Sequence, residues 1–337
     1  MKTNAAPVQM SAKELSKKRN NAYARKKKFM RGAVSRIRGL LMFGLCFMII
    51  QPLLTRLSTS FMEERDLYDS TIVLLPRHLT LENFRHVFNL TEFPVSMFNT
   101  LWVSLLVSVL QVVSCTLVAY GFARYQFPLK KFWFGCVVAL IIVPPQTISA
   151  SLYTFFSNFD FLGLVRLFNG GKPLNIRGSL LPYAMMSLTC TGLKNGLYIY
   201  MLRQYFKGVP KSLEEAAYID GCNTMHTFVK IMLPDAVPII LSCFLFGFVW
   251  QWTDLFYTRN FVPSQIPMFS TQLAGMVSEM AYYFSQEAGG KPIVVPSALQ
   301  QQMISIGVLI CSTPLIILYC FTQKTFVQSL AMTGSKE

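Results

Sequence analysis

Charge-free apolar runs alternate with polar segments along most of this chain, and about 20 apolar residues suffice to cross a bilayer as helix. The first run is Gly39–Thr55, short but flanked by Arg38 and Arg56, whose long side chains reach the interface. Phe93–Ala123 and Phe132–Phe159 follow, both longer than a span requires, so their ends belong to loops or interfacial helix. Gly178–Leu202, interrupted by Lys194, is the fourth run, and Ala236–Thr253 the fifth. The sixth span lies within Pro292–Gln323, centred on Met303–Phe321. The pattern predicts an all-α polytopic membrane protein with six transmembrane helices. Pro144-Pro145 ends the third helix and Pro314 kinks the sixth, because proline lacks the donor that a helix interior needs. One long polar island, Ser212–Pro234, separates the fourth and fifth spans.

Composition agrees with the pattern. Hydrophobic residues make up 53% and charged residues 14%, whereas soluble domains carry about 25% charged residues. The net charge of +15 changes the picture only through its placement: 12 of the 31 Lys and Arg precede residue 39. A basic tail ahead of the first apolar run is not the folded basic surface of a nucleic-acid binder, and no nucleic acid is expected. Nor is it a signal peptide, since the tail is too long and no small-residue cleavage site follows. Residues 1–38 are expected to lie on the anionic cytoplasmic membrane face, their first part disordered.

With the N-terminus inside, 21 basic residues fall in cytoplasmic segments and 9 in the longer outer ones. This bias places both termini, and the island, in the cytoplasm. The outer segments are then Leu57–Glu92, Asp160–Arg177 and Asp254–Lys291, the last containing an amphipathic or re-entrant stretch at Met276–Phe284.

Chemistry of the catalytic kind is scarce. Seven of the eight cysteines lie in apolar runs, no CxxC pair occurs, and the three histidines stand apart, so no metal is predicted. Gly170-Gly171-Lys172 fails as a phosphate loop, with Arg166 in place of the first glycine and Pro173 in place of the Ser or Thr that binds magnesium. Asn89-Leu90-Thr91 fits a glycosylation sequon, a common chance match. A membrane-embedded enzyme would need clustered acids, bases or nucleophiles at membrane depth. An autonomous channel or secondary transporter would be expected to carry inverted repeats, and none is evident.

The island has its own local logic. Ser212-x-x-Glu215 reads as a capping box that starts a helix running to about Asp220. Gly221 supplies a left-handed or sharply turned position, and Asn223 or Thr224 caps a second helix. That helix carries Met225, Phe228, Val229 and Met232 as one apolar stripe, and Pro234 limits it. Such a helix–turn–helix fits equally a unit packed under its own membrane helices and one offered to a partner.

The spacing Glu215-Ala216-Ala217-x3-Gly221-x9-Ile231-x-Leu233-Pro234 resembles the signature of inner-membrane permease subunits of binding-protein-dependent ABC importers. Further pieces are similar to the maltose-type carbohydrate branch. They are Leu79–Phe84, Asn99-Thr100-Leu101, Tyr120-Gly121-Phe122-Ala123-Arg124, Leu202–Phe206, Trp252-x-Asp254 and Phe326-Val327-Gln328. The likeness covers roughly residues 75–330. Thr253 departs from the Asn frequent in that branch, and the outer segments 158–178 and 259–300 are longer than in short members.

The resemblance implies a type I ABC importer transmembrane fold in a bacterial cell membrane. It divides the chain into a basic tail (1–38), a first helix with its outer loop (39–92), a permease core (93–323) enclosing a coupling loop (203–235), and a cytoplasmic C-terminal tail (324–337). It implies a second permease subunit, an ATPase dimer that binds the ATP and Mg, and an extracellular binding protein that delivers a sugar, with an oligosaccharide or related sugar as the expectation. No cofactor is expected on this chain. The residues expected to couple to the ATPase are Glu214, Glu215, Ala216, Ala217, Asp220, Gly221, Met225, Phe228, Ile231, Leu233 and Pro234. For the solute path the expectation is Lys194, Asn195, Trp252 and Asp254. Lys194 either lines that path or sits at the outer interface, and Asp254 either pairs with Lys194 or meets solute.

Overall fold

A computed structural model describes residues 12–69, 71–72, 75–161 and 163–334. The outermost part of the expected tail, residues 1–11, and the last three residues lie outside the described residues. The described chain is helical, as a bilayer demands of a backbone that must satisfy its own hydrogen bonds. Its only extended pairings, among the described residues, are the isolated bridges Met62–Leu79 and Phe159–Leu174.

The first helix, α1 (Ala12–Ser60), runs without interruption from the basic segment through the first apolar run. The outer loop after it holds α2 (Glu64–Leu67) and α3 (Glu82–Leu90), and α4 (Phe93–Arg124) is the second span. The third apolar run is two helices, α5 (Lys130–Ile142) and α6 (Pro145–Ser157), bent by 106° where Pro144 stops the first and Pro145 opens the second. A short α7 (Leu164–Phe168) lies in the next outer segment.

The fourth expected span is also broken. In place of one helix over Gly178–Leu202 there are α8 (Leu181–Leu188) and α9 (Asn195–Gly208). Cys190 (φ 59°) and Lys194 (φ 63°) are left-handed at the two ends of the break, a conformation no α-helix propagates. Just beyond it, Gly196 lets α9 touch α5: a Cβ there would stand 2.7 Å from the Val137 carbonyl oxygen.

The island contains α10 (Ser212–Ile219) and α11 (Thr224–Thr227), then a π-helical turn over Phe228–Met232 and α12 (Leu233–Asp235). A 74° bend leads into α13 (Val237–Thr253). The outer elements α14 (Phe256–Phe261) and α15 (Phe269–Glu287) precede the last long helix, α16 (Ser297–Gly334), with Pro314 inside it. The expected re-entrant stretch Met276–Phe284 is the interior of α15. Three described helices are each long and apolar enough to cross a membrane, and the two bent pairs bring the number to five.

Helix α4 is the axis of the bundle, packed against α8, α9 and α13, while α5 rests on α9 and α1 on α16. Cores lie at both ends. Cys115, Tyr198, Leu202, Phe206, Phe228 and Met232 belong to the cytoplasmic one, which ties the island to α4 and α9. Val103, Val107, Tyr183, Tyr257 and Phe261 belong to the outer one. The flank of α1 from Leu40 to Leu57 is exposed and apolar, a surface suited to lipid or to other membrane helices.

Candidate functional site: a cytoplasmic loop and an outer cleft

The island begins differently from its expected capping box. Lys211 already has helical dihedrals (φ −65°, ψ −27°), and its carbonyl accepts from the N–H groups of both Glu214 and Glu215. Ser212 therefore sits inside the first turn, and no side chain caps α10. The acid that matters structurally is Glu214. Tyr120 and Arg124 are one helical turn apart at the end of α4 and so share a face. The Tyr120 hydroxyl donates to Glu214 Oε1 at 2.9 Å, and Arg124 Nε lies 3.1 Å from the same oxygen. Arg124 Nη2 also donates to the Val209 carbonyl at 2.9 Å, pinning the chain just before α10. The Arg124 and Glu214 side chains are 6% and 10% exposed. A buried ion pair of this kind is balanced only while both partners are present.

The end of α10 follows the glycine expectation. Gly221 has φ +81°, its N–H donates to the Tyr218 carbonyl, and the Cys222 N–H reaches back to the Ala217 carbonyl at 2.9 Å. This is the paired arrangement of a Schellman C-cap. Asn223 Oδ1 then accepts the His226 N–H at 2.8 Å and starts α11.

The expected apolar stripe divides. Phe228 and Met232 are buried, with the Phe228 and Tyr120 ring centroids 4.6 Å apart, whereas Met225 and Val229 face outward. The π-helical turn is the local cause: its wider register departs from the 3.6-residue period along which the four would align. Ala217 is buried; Glu215, Ala216, Asp220 and Pro234 are exposed; Ile231 and Leu233 are half-buried. The loop thus presents an uncovered apolar surface in Leu213, Tyr218, Ile219, Met225 and Val229. A hollow of about 300 Å³ between Met225 and the end of α4 adjoins it. Tyr205 fixes the far end of the island by donating to the Asp235 carbonyl at 2.6 Å.

On the opposite side of the bundle a cleft of about 790 Å³ opens between the α5–α6 bend, the break before α9 and the outer end of α13. Lys194 and Asp254 both line it but do not pair. Asp254 Oδ2 accepts from the Thr258 N–H (2.8 Å), the Thr258 hydroxyl (3.0 Å) and the Tyr183 hydroxyl (3.2 Å). Lys194 Nζ instead stands 4.9 Å from the ring centroid of Trp250, a cation–π distance. The helix does begin after Lys194, as the interfacial alternative supposed, yet the residue still borders the cleft. Asn195 is buried, and its side-chain amide has no hydrogen-bond partner in the protein. Trp252 points elsewhere: it is buried and donates its indole N–H to the Cys311 carbonyl at 3.1 Å, joining α13 to α16.

Sequence reasoning missed Tyr120, Arg124, Trp250 and Tyr183 as site residues. Tyr120 and Arg124 stood in a recognised motif, and their i, i+4 spacing at the end of a span was the available signal. Trp250 carried none, because its turn toward the cleft depends on the packing of α13.

Among the described residues there is no group of His, Cys, Asp and Glu able to hold a metal ion. Residues 96–331 match the family model for the binding-protein-dependent transport system inner membrane component. A protein of Pyrococcus horikoshii described as a "probable ABC transporter permease protein" is 31% identical over 201 residues, spanning 59% of this chain and 66% of that one. The arabinooligosaccharides transport system permease protein AraQ of Halalkalibacterium halodurans is 25% identical, over 87% of this chain and 93% of its own. The fold is similar to one chain of the crystal structure of a bacterial ABC transporter involved in the import of the acidic polysaccharide alginate. That likeness has a TM-score of 0.64 and 16% identity, over 86% of this chain and 95% of the other.

Proposed function

The chain belongs to the binding-protein-dependent transport system inner membrane component family, and from that premise we propose that it is the permease subunit of an ATP-driven importer of sugars, oligosaccharides among them. It is a transporter component, not an enzyme. In this reading a second permease completes the path, an extracellular binding protein delivers the solute, and a cytoplasmic ATPase dimer binds ATP and Mg and hydrolyses the nucleotide. The sugar assignment is supported by relatives such as the arabinooligosaccharide permease above.

The observation that carries the coupling role is the two-sided construction of the island. Its inner side is clamped to α4 through Glu214, Arg124, Tyr120 and Phe228, while its outer side offers exposed apolar residues to a partner. Force applied at Ile219 or Met225 therefore reaches the bundle through a buried ion pair and a packed ring. Closure of the ATPase moves α10–α12 with α4 as one body and switches the path between outward and inward access, a rigid-body transition. The test is Gly221→Asp in proteoliposomes holding the whole complex. A side chain at φ +81° strains the C-cap, and the added carboxylate opposes the negative C-terminal end of α10; the variant is expected to insert normally while ATP hydrolysis no longer drives uptake. Normal uptake with normal ATPase activity would overturn the coupling role, and solute flux independent of ATP would favour a channel or secondary transporter.

A further inference from the structure

The outer cleft keeps its two charges apart. Of the two charged residues that line it, Asp254 has one carboxylate oxygen engaged by three donors from Thr258 and Tyr183. Lys194 has no carboxylate within ion-pair distance among the described residues. A lysine in a membrane segment without a paired acid is costly and is characteristically found where it serves a solute pathway. It caps the outer end of α9, about 20 Å of helix from Gly208 at a rise of 1.5 Å per residue, so interfacial attraction to the cytoplasmic leaflet does not account for it. Its immediate neighbour is the half-exposed indole of Trp250.

The same exposed side of α9 continues in kind. Tyr200, Gln204 and Lys207 are exposed along it, and the Arg203 guanidinium lies 3.8 Å from the Phe134 ring centroid. Neither Arg203 nor Lys207 has an ion-pair partner among the described residues. A face of this polarity contrasts with the apolar exposed flank of α1 and is suited to water and solute, not to acyl chains.

We propose that the path recognises an acidic sugar, with the Lys194 ammonium meeting a uronic-acid carboxylate while Trp250 stacks on the apolar face of the same pyranose ring. An ammonium beside an exposed aromatic ring supplies the two contacts that distinguish such a unit from a neutral sugar and from a small inorganic anion. The cleft volume lies within the range of sites for small organic ligands. This inference rests on the sugar-importer reading above.

The test uses the complete importer, reconstituted with its partner subunits and binding protein, in proteoliposomes. The probes are trimers of galacturonate, glucuronate and mannuronate, each beside its carboxyl-reduced neutral counterpart. At least one acidic trimer is expected to enter with ATP, about tenfold faster than its neutral counterpart, the scale of one charge-assisted hydrogen bond. Lys194→Met is expected to lower acidic uptake by a similar factor, whereas Lys194→Arg retains most of it, with membrane yield and melting temperature verifying that both variants fold. Uptake of neutral trimers alone, or acidic uptake unchanged in Lys194→Met, overturns the acidic-solute proposal and leaves the importer reading standing. Absence of ATP-driven uptake of every acidic trimer overturns this proposal, and the sugar-import reading falls with it only if neutral arabino-, gluco- and galacto-oligosaccharides are refused as well.

Discussion

The cytoplasmic loop and the outer cleft use charge in opposite ways. In the loop, Arg124 and Glu214 are buried together, share a tyrosine hydroxyl and hold neighbouring backbone in place. In the cleft, Lys194 and Asp254 border one cavity without meeting: the acid is turned onto its own helix start and the amine rests on an indole. Pairing makes a rigid joint, which is what the proposed coupling role requires. A lysine left unpaired is a poor structural element but a ready binding group. Both regions join elements distant in sequence, the joint from the end of α4 and the start of α10, the cleft from the ends of three separate elements.

The comparison breaks most sharply at Arg124. Replacing it by Gln leaves Glu214 buried without its cation, an expected loss of about 3–5 kcal/mol, read as a lower melting temperature of the purified chain together with lost coupling. Adding Glu214→Leu to an Arg124→Met chain should restore much of that stability, because a buried pair replaced by apolar groups is often neutral. If the single Arg124 variant melts with the parent, the clamp is not what holds the island. Gly221→Ala should cost less, about 1–2 kcal/mol for a side chain in the left-handed region; an unchanged melting temperature would show that α10 ends differently.

In the cleft the expected stability cost is smaller still. Lys194→Met removes only a cation–π contact worth about 0.5–1 kcal/mol, so a fall as large as that of the Arg124 variant would mean that Lys194 is structural. The smallest effect belongs to the outer loop after α1. There Asp66 accepts from the His78 ring at 2.7 Å and from the backbone N–H groups of His78 (2.7 Å) and Arg77 (2.9 Å). The hydrogen bond from the His78 side chain, followed by those from the backbone, holds the Asp66 carboxyl below its ordinary value. A depressed carboxylate stabilises the fold fully above the ordinary carboxylate range and loses that contribution as pH falls through its folded value. Proteolysis of segment 62–79 should therefore accelerate only at strongly acidic pH, and His78→Ala should move that onset upward; an unmoved onset would remove the clamp from the account.

How far the chain could be read in advance depended on the range of the interactions involved. Gly221 and Asn223 behaved as local chemistry requires, since a left-handed turn and a side-chain cap are settled within four residues. Pro144 likewise stopped a helix where its missing donor dictates. Ser212 did not cap, because Arg124, 88 positions earlier, holds Val209 and the chain enters α10 already in helical dihedrals. The Met225 to Met232 stripe was visible as apolar spacing, but the π-helical turn that divides it is not encoded in that spacing.

What the sequence by itself determined is the solvent of each segment. Runs of uncharged apolar residues demand a bilayer, the distribution of Lys and Arg orients them, and the spacing from Glu215 to Pro234 identifies the loop. Only the tertiary structure decided the partners: Glu214 with Arg124 and Tyr120, Asp254 with Thr258 and Tyr183, Lys194 with Trp250. The physical reason is that hydropathy is a property summed over neighbouring residues along the chain. An ion pair is a property of two side chains at about 3 Å, and which acid a given cation reaches is fixed only when the helices carrying them have packed.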